Sequence, residues 1–571
     1  MGKFTTSSGK EMITPNILPV VHPREQVIPA RVMHDRFGVD AIFTNAFIIH
    51  QDEGLSRRVL DGGIHAHLDF PSIIATDSGA FQHYMYGTGD LEPGTIEPFQ
   101  ERIGSDLGVI LDQPVQVDDT REVAIRKVHT TLERAKLNVD RRHAPGTAWY
   151  GPVHGGRFPD LLERSATVLN GLDFAVHALG GVVKLLNDYQ FTLVAKIVLH
   201  AKQWLDPSRP VHLFGAGHPM VFSLFTALGC DLFDSAAYSL FAREGRYLTT
   251  SGTLLLDDLV EFPCSCPACS ASTPRETRGL PPSERHRFLC EHNLHVTMGE
   301  FKVIREHVRA QTLWELVETR CRAHPCLLEA LRMVNQWHRS RHAGEVSAGE
   351  PILGRHAIFY TGPETLDRPI IHRFKEDLAS RYKIGKEVSR MLLLPELDVN
   401  AISSPQHARW QEAIGETLGS DPAARARLLV VLLNPVLGVI PEDLLPMHPC
   451  SHNLYPSQVD ATQERRLVAS IVGFLARNDV HGKPVAILIP RSFTGEDGMQ
   501  HPFDGHYLET NLPMIPLGET QRSHLRGELV EDLPREGTRA RGTFGMDTAT
   551  RHDLEPVVLL RDEKELTTWL A

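Results

Sequence analysis

The chain has 571 residues, 42% hydrophobic and 23% charged, with a formal net charge of −12. This is the composition of an ordinary globular protein too long for one core, so two to four domains are expected, without a membrane span or indiscriminate nucleic-acid binding. The opening MGKFTTSSGKEMITP lacks the apolar stretch of a secretory leader, so a cytoplasmic location is expected. A local basic face stays possible, because phosphate contact depends on a patch and not on the total charge.

From about Ile17 to Leu255, short apolar runs alternate with amphipathic stretches. The strand candidates are Ala41–Phe43, Ile73–Ala75, Val109–Leu111, Trp149–Val153, Phe174–Val176, Val211–Phe214 and Leu232–Phe233. Between them lie helical patterns such as Arg121–Asp140, where Val123, Ile125, Val128, Leu132 and Leu137 recur near the helical period. Repeated alternation of this kind fits an α/β fold, a (β/α)8 TIM barrel. A doubly wound sheet is the alternative, but no Gly-x-Gly-x-x-Gly follows the first strand. Small, polar or glycine-rich groups follow the apolar runs: Thr76–Gln82, Asp112–Pro114, His154–Arg157, His177–Gly181, Gly215–Pro219 and Asp234–Ser235. Any one of them is readily a turn. Their common phase with the strands places them together on the C-terminal face of a barrel, where active sites sit.

The stretch from Gly229 to Cys269 joins a candidate carboxylate nucleophile, Asp234, to a cysteine cluster. Of eight cysteines, Cys264, Cys266 and Cys269 form a CxCxxC turn, a spacing that suits a tetrahedral zinc ion and not a disulfide framework. A fourth ligand is expected on the following helical segment; His292 leads, with Cys290, His286 and His295 as alternatives. Four protein ligands leave zinc no open position, so one structural Zn2+ per chain is expected.

These segments resemble the tRNA-guanine transglycosylases, in particular the archaeal, archaeosine-type branch. The resemblance rests on TDSGAFQ (76–82), FQERIGSDLGVILD (99–112), ALGGVVKLLNDY (178–189), RPVHLFGAGHPM (209–220), GCDLFDSAAY (229–238) and FPCSCPAC (262–269) with His292, all in family order. It implies an irregular TIM barrel with a zinc-binding subdomain. The implied reaction exchanges guanine in the D-arm of tRNA for 7-cyano-7-deazaguanine. Carried over by motif, Asp234 is the expected nucleophile and Asp77 the general acid/base. Asp112 and the Gly180–Gly181 backbone are expected to recognise the base, and Phe81 and Phe214 to sandwich it. The family also implies a homodimer.

Two features depart from the family pattern. His154 stands where a glutamine usually precedes Gly-Gly, which bears on the base accepted or on how its carbonyl is contacted. Beyond the barrel (1–262) and the zinc subdomain with closing helices (263–345), the segment 346–571 resembles the smaller α/β domain of archaeosine-type enzymes. It carries no recognisable PUA-like RNA-binding domain. Its tail from Gly518 to Ala571 reads as an irregular, solvated extension, with an arginine-bearing arm (Arg522, Arg526, Arg535, Arg539, Arg541) as the lesser alternative. A DNA-directed paralogue and a non-catalytic subunit are the competing functions. Retention of Asp77, Asp112 and Asp234 together argues against the latter.

Overall fold

The computed structural model describes residues 1–80, 92–143, 146–340, 356–396, 405–419, 421–456, 459–478, 483–488, 492–494, 500–502 and 558–571. They belong to two compact units, Met1–His338 and Pro351–Ala571. The arginines proposed for a tail arm lie outside the described residues.

An antiparallel hairpin, β1 (Gly2–Thr5) and β2 (Glu11–Thr14), opens the first unit. Eight parallel strands follow: β3 (Asn16–Pro19), β4 (Ala41–Asn45), β5 (Ile73–Asp77), β6 (Leu107–Val109), β7 (Ala148–Val153), β8 (Val176–Leu179), β9 (Val211–Leu213) and β10 (Leu232–Ser235). From β4 to β10 each pairs with its neighbour in sequence, and β10 returns to pair with β3, setting Asp234 opposite Leu18. Between β3 and β4 the ring is completed where Val20 bridges to Phe43 and the Val21 N–H donates to the Phe43 carbonyl at 2.8 Å. With helices such as Arg121–Arg141 and Phe191–Lys202 between the strands, this is the barrel and not the doubly wound sheet.

Side chains on successive strand residues point to opposite faces, and this sorts two cores. Leu18, Ala41, Phe43, Ile73, Ala75, Leu107, Val109, Tyr150, Val176, Ala178 and Leu232 fill the barrel. Ile17, Ile42, Ile74, Trp149, Leu213 and Phe233 pack outward among the helices. Two strands are shifted from their apolar runs. β6 ends at Val109 because the Leu111 N–H leaves the ladder for Glu97 Oε1 at 3.1 Å, and β8 starts at Val176 while Phe174 packs under the Arg142 guanidinium. The helix expected to carry the fourth ligand is one continuous element of 29 residues, Pro282–Ala310, and takes in both His292 and the segment from Phe301.

The hairpin was not legible in the sequence, yet it plugs the barrel floor. Met12 is buried among the interior residues. Asp106, just before β6, ties the hairpin down: it accepts from Lys10 Nζ (3.0 Å), Ser8 Oγ (3.1 Å) and the Ile74 N–H (2.9 Å), with His65 Nε2 at 2.9 Å. Burial pushes its carboxyl up, but the His65, Ile74 and Lys10 contacts outweigh burial and hold it below the ordinary carboxylate value.

The second unit is a five-stranded sheet in the order Gly438–Pro441, Leu428–Asn434, Arg390–Pro395, Val485–Leu488, Val558–Leu560, parallel except for the first strand. Arg390–Pro395 is buried on both faces: Leu392 and Leu394 enter one core, Met391 and Leu393 the other. The end of the expected irregular tail is instead part of this sheet. Val558–Leu560 forms its edge, and the helix Glu563–Leu570, capped by Asp562, inserts Leu566 and Leu570 into the core. No helix among the described residues is long and apolar enough to cross a membrane.

Replacing Asp106 by alanine leaves a buried amide and a half-buried ammonium without their acceptor, so a loss of about 2–4 kcal/mol is expected in urea unfolding. Because the folded carboxyl is lowered, its contribution is present above the ordinary carboxylate range and lost as pH falls through the lowered value. The difference between parent and Asp106→Ala should therefore shrink in acid.

Candidate active site and metal cluster

The inward parity of the barrel strands decides which side chains meet at the C-terminal mouth. Continuing each strand by two residues from its last interior position gives Asn45 after Phe43, Asp77 after Ala75, His154 after Pro152, Gly180 after Ala178, Phe214 after His212 and Asp234 after Leu232. Of the residues singled out in the sequence, all but Phe81 lie in described parts of this unit; Phe81 lies outside the described residues.

Asp234 ends β10. Its Oδ1 accepts from the Gly215 N–H at 2.9 Å and meets His212 Nε2 at 3.1 Å. Gly215 has φ +73°, and a Cβ there would lie 2.4 Å from a Val183 methyl, so glycine is needed to present this amide. His212 is fully buried, and its Nδ1 lies 3.2 Å from the Tyr150 hydroxyl. Phe43 and Phe214 line the same space, with the Phe214 ring 4.8 Å from His212 and 5.9 Å from Phe43.

Asp77 ends β5, paired in register with Asn45, whose Nδ2 donates to Asp77 Oδ2 at 3.0 Å. Burial pushes its carboxyl up to about 7. Backbone amides of Gly79 and Ser78 oppose that shift, while the charges of Asp112 and Asp234 reinforce it. A carboxyl in that range holds and releases a proton near neutrality, as a general acid/base must.

Asp112 is buried beyond the end of β6, with His154 Nε2 at 2.5 Å from its Oδ2. Among the described residues, the buried His154 Nδ1 has no hydrogen-bond partner. The histidine is thus engaged first with a neighbouring carboxylate, an arrangement the sequence did not suggest. Gly180 lies against the His154 ring, where a Cβ would come within 2.8 Å of Cε1.

The described residues bring Cys264, Cys266, Cys269 and His292 together, with their donor atoms all within 4.8 Å of one another. His292 Nδ1 lies 3.3 Å from Cys269 Sγ and 3.6 Å from Cys266 Sγ, close to the roughly 3.6 Å expected between ligand atoms around tetrahedral zinc. The Nε2 of the same ring donates to the Leu248 carbonyl at 2.9 Å, which fixes the tautomer that leaves Nδ1 free for a metal. The Tyr247 hydroxyl reaches Cys269 Sγ at 3.3 Å. The other candidate ligands are used elsewhere: His286 Nε2 meets the Ser239 carbonyl, and His295 packs on Phe37. This donor set fits a metal ion.

The family model for queuine tRNA-ribosyltransferase, the tRNA-guanine transglycosylase model, matches residues 1–326. The chain belongs to the tRNA-guanine transglycosylase family. It is 38% identical over 462 residues to a tRNA-guanine(15) transglycosylase of Methanococcus maripaludis, covering 80% of this chain and 67% of that one. Against the protein of the same name from Methanocaldococcus jannaschii, identity is 37% over 479 residues, 82% of this chain and 69% of the other. With that of Pyrococcus abyssi it shares 42% over 376 residues, 66% and 63% of the two chains. As a transglycosylase the protein is a pentosyltransferase. The longer matches run past the barrel into the second unit.

Sequence reasoning missed Asn45, Tyr150 and His212 in this transglycosylase. Each is an inward residue on a strand whose apolar neighbours drew attention, and the available signal was parity: a polar side chain in phase with the barrel interior.

Because the folded value of Asp77 is raised, the stability linked to its neutral form is complete below the ordinary carboxylate range and lost as pH rises through about 7. Asp77→Asn removes that loss. In pH-resolved thermal melts the variant should exceed the parent by roughly 1–3 kcal/mol above pH 7, with the advantage vanishing toward pH 4.

Proposed function

We propose that this transglycosylase exchanges guanine at position 15, in the D-arm of tRNA, for 7-cyano-7-deazaguanine by double displacement. The observation that carries this reading is the placement of Asp234 and Asp77 on inward strand ends of one mouth, in a chain whose relatives are named for tRNA-guanine(15) exchange. An Asp234 oxygen donates a lone pair to ribose C1′ as the C1′–N9 bond breaks. The departing pair goes to guanine N9, which takes the proton held by Asp77. The carboxylate stabilises the positive character at C1′ and ends as an aspartyl-ribose ester. Asp77, now ionised, accepts the N9 proton of the incoming base. That nitrogen attacks C1′ from the vacated side, the C1′–O bond breaks, and its pair returns to Asp234. Configuration is retained.

Asp112 and the Gly180–Gly181 backbone are assigned to the base edge, with His154 oriented by Asp112. Phe214 is assigned one face of the purine and Phe81 the other; stacking of this kind is worth about 1–3 kcal/mol per base. Cys264, Cys266, Cys269 and His292 would hold one Zn2+, whose four protein ligands leave it a structural role next to the barrel. The working form is a homodimer in the cytoplasm.

Asp234→Ala should abolish exchange of labelled guanine into tRNA while circular dichroism and melting stay near the parent; parent-like exchange would remove Asp234 as nucleophile. Mass spectrometry of nucleosides from tRNA and from duplex DNA incubated with 7-cyano-7-deazaguanine should show the product in tRNA alone, and product confined to DNA would overturn the substrate assignment. In Cys269→Ala, elemental analysis should show loss of the one zinc per chain, with melting lowered by several degrees.

A further inference from the structure

Within the mouth, the two oxygens of Asp234 are not equivalent. Both hydrogen bonds fall on Oδ1, from the Gly215 N–H and from His212 Nε2, and Oδ2 has no partner among the described residues. His212 is fully buried, walled by Phe43, Tyr150 and Phe214 at ring separations of 6.0, 5.4 and 4.8 Å. Apart from Asp234, its one hydrogen-bonding neighbour among the described residues is the Tyr150 hydroxyl at 3.2 Å from Nδ1.

We propose that Tyr150 and His212 are positioning residues that lock Asp234 through Oδ1, making Oδ2 the oxygen that attacks ribose, and that this donor set chiefly drives the second displacement. The inference rests on Asp234 being the nucleophile.

The orientation of the file follows from hydrogen-bond accounting. The buried Tyr150 O–H has no other partner among the described residues, so it donates its proton to His212 Nδ1. That nitrogen is then the acceptor, and the ring proton sits on Nε2, aimed at Asp234. Burial, with the Asp234 charge adding to it, pushes the Tyr150 hydroxyl well above its ordinary value, so it stays a donor throughout the working range. The sequence Tyr150 O–H to His212, then His212 N–H to Asp234, leaves each buried proton with one acceptor.

The two donors act differently on the two displacements. In the first, Oδ2 gives a lone pair to C1′ and the C1′–N9 pair leaves with the base, whose N9 takes the Asp77 proton. Oδ1 becomes the ester carbonyl, a weaker acceptor than a carboxylate, so the bonds from His212 and Gly215 weaken in this step. In the second, the incoming N9 pair forms the new bond to C1′, its proton passes to Asp77, and the C1′–Oδ2 pair returns to the carboxyl group. Negative charge grows again on Oδ1 as well as Oδ2, against two fixed donors in a water-poor site. Preorganised donors aimed at developing charge are among the larger catalytic effects. Removing them should therefore leave the aspartyl-ribose ester stranded.

The test separates the half-reactions on full-length enzyme. Release of labelled guanine from tRNA without incoming base reports the first step. Chase of the denaturation-resistant protein–RNA adduct with 7-cyano-7-deazaguanine reports the second. His212→Phe, which keeps an aromatic ring among aromatics, should slow the chase about 10–100-fold while guanine release changes far less, so that adduct accumulates. His212→Gln, which can restore an N–H toward Oδ1, should recover most of the chase rate. Tyr150→Phe, which removes one hydroxyl only, should slow the chase several-fold in the same sense, with KM for the incoming base unchanged. Equal slowing of both half-reactions in Tyr150→Phe and His212→Gln, or no effect of Tyr150→Phe, would overturn the proposal even if His212→Phe proved unstable. Adduct formation by Asp234→Ala would instead overturn the nucleophile assignment on which it rests.

Discussion

The two-residue alternation of a parallel strand is the constraint on which this site depends. Eight strands in one closed register offer a single inward position each at the level of the mouth. Asn45, Asp77, His154, Gly180, Phe214 and Asp234 hold six of those positions. A slip of one residue in any strand would replace its mouth residue by an outward apolar neighbour, such as Phe233 for Asp234. Packing in the layers below therefore enforces the chemistry above. The Phe43, Ile73, Ala75 and Leu232 interior fixes the phase that Asp77 and Asp234 inherit.

Three carboxylates in one mouth repel each other unless their environments differ. The fold separates them by partner type. Asp234 faces the Gly215 amide and His212 Nε2. Asp112 is engaged by His154. Asp77 receives an asparagine and two backbone amides, but burial outweighs them and pushes its carboxyl up to about 7. One residue type thus meets three different surroundings, and the differences come from neighbours distant in sequence.

The barrel and the metal cluster were legible because each leaves a local trace: apolar runs in phase with polar strand ends, and CxCxxC spacing. What escaped notice carried no such trace. Tyr150 sits in a run that reads simply as a strand, and the partner that gives its hydroxyl a purpose lies 62 residues away. The hairpin β1–β2 is too short for its alternation to stand out, and its role appears only when Met12 and Lys10 meet the barrel floor. At the other terminus, Val558–Leu560 and the helix after it are ordinary in composition but follow a charged, glycine-punctuated stretch that obscured them. In each case the deciding contact is long-range, which is the information a linear pattern lacks.

The strand that carries Asp234 is also the strand that closes the ring, since β10 pairs with β9 on one side and with β3, near the start of the chain, on the other. The Asn16 N–H bonds to the Asp231 carbonyl and the Val20 N–H to the Ser235 carbonyl, bracketing Asp234. A nascent or truncated chain lacking either end of this seam would have no fixed place for Asp234. The position of Asp234 is thus set by the last pairing that completes the ring.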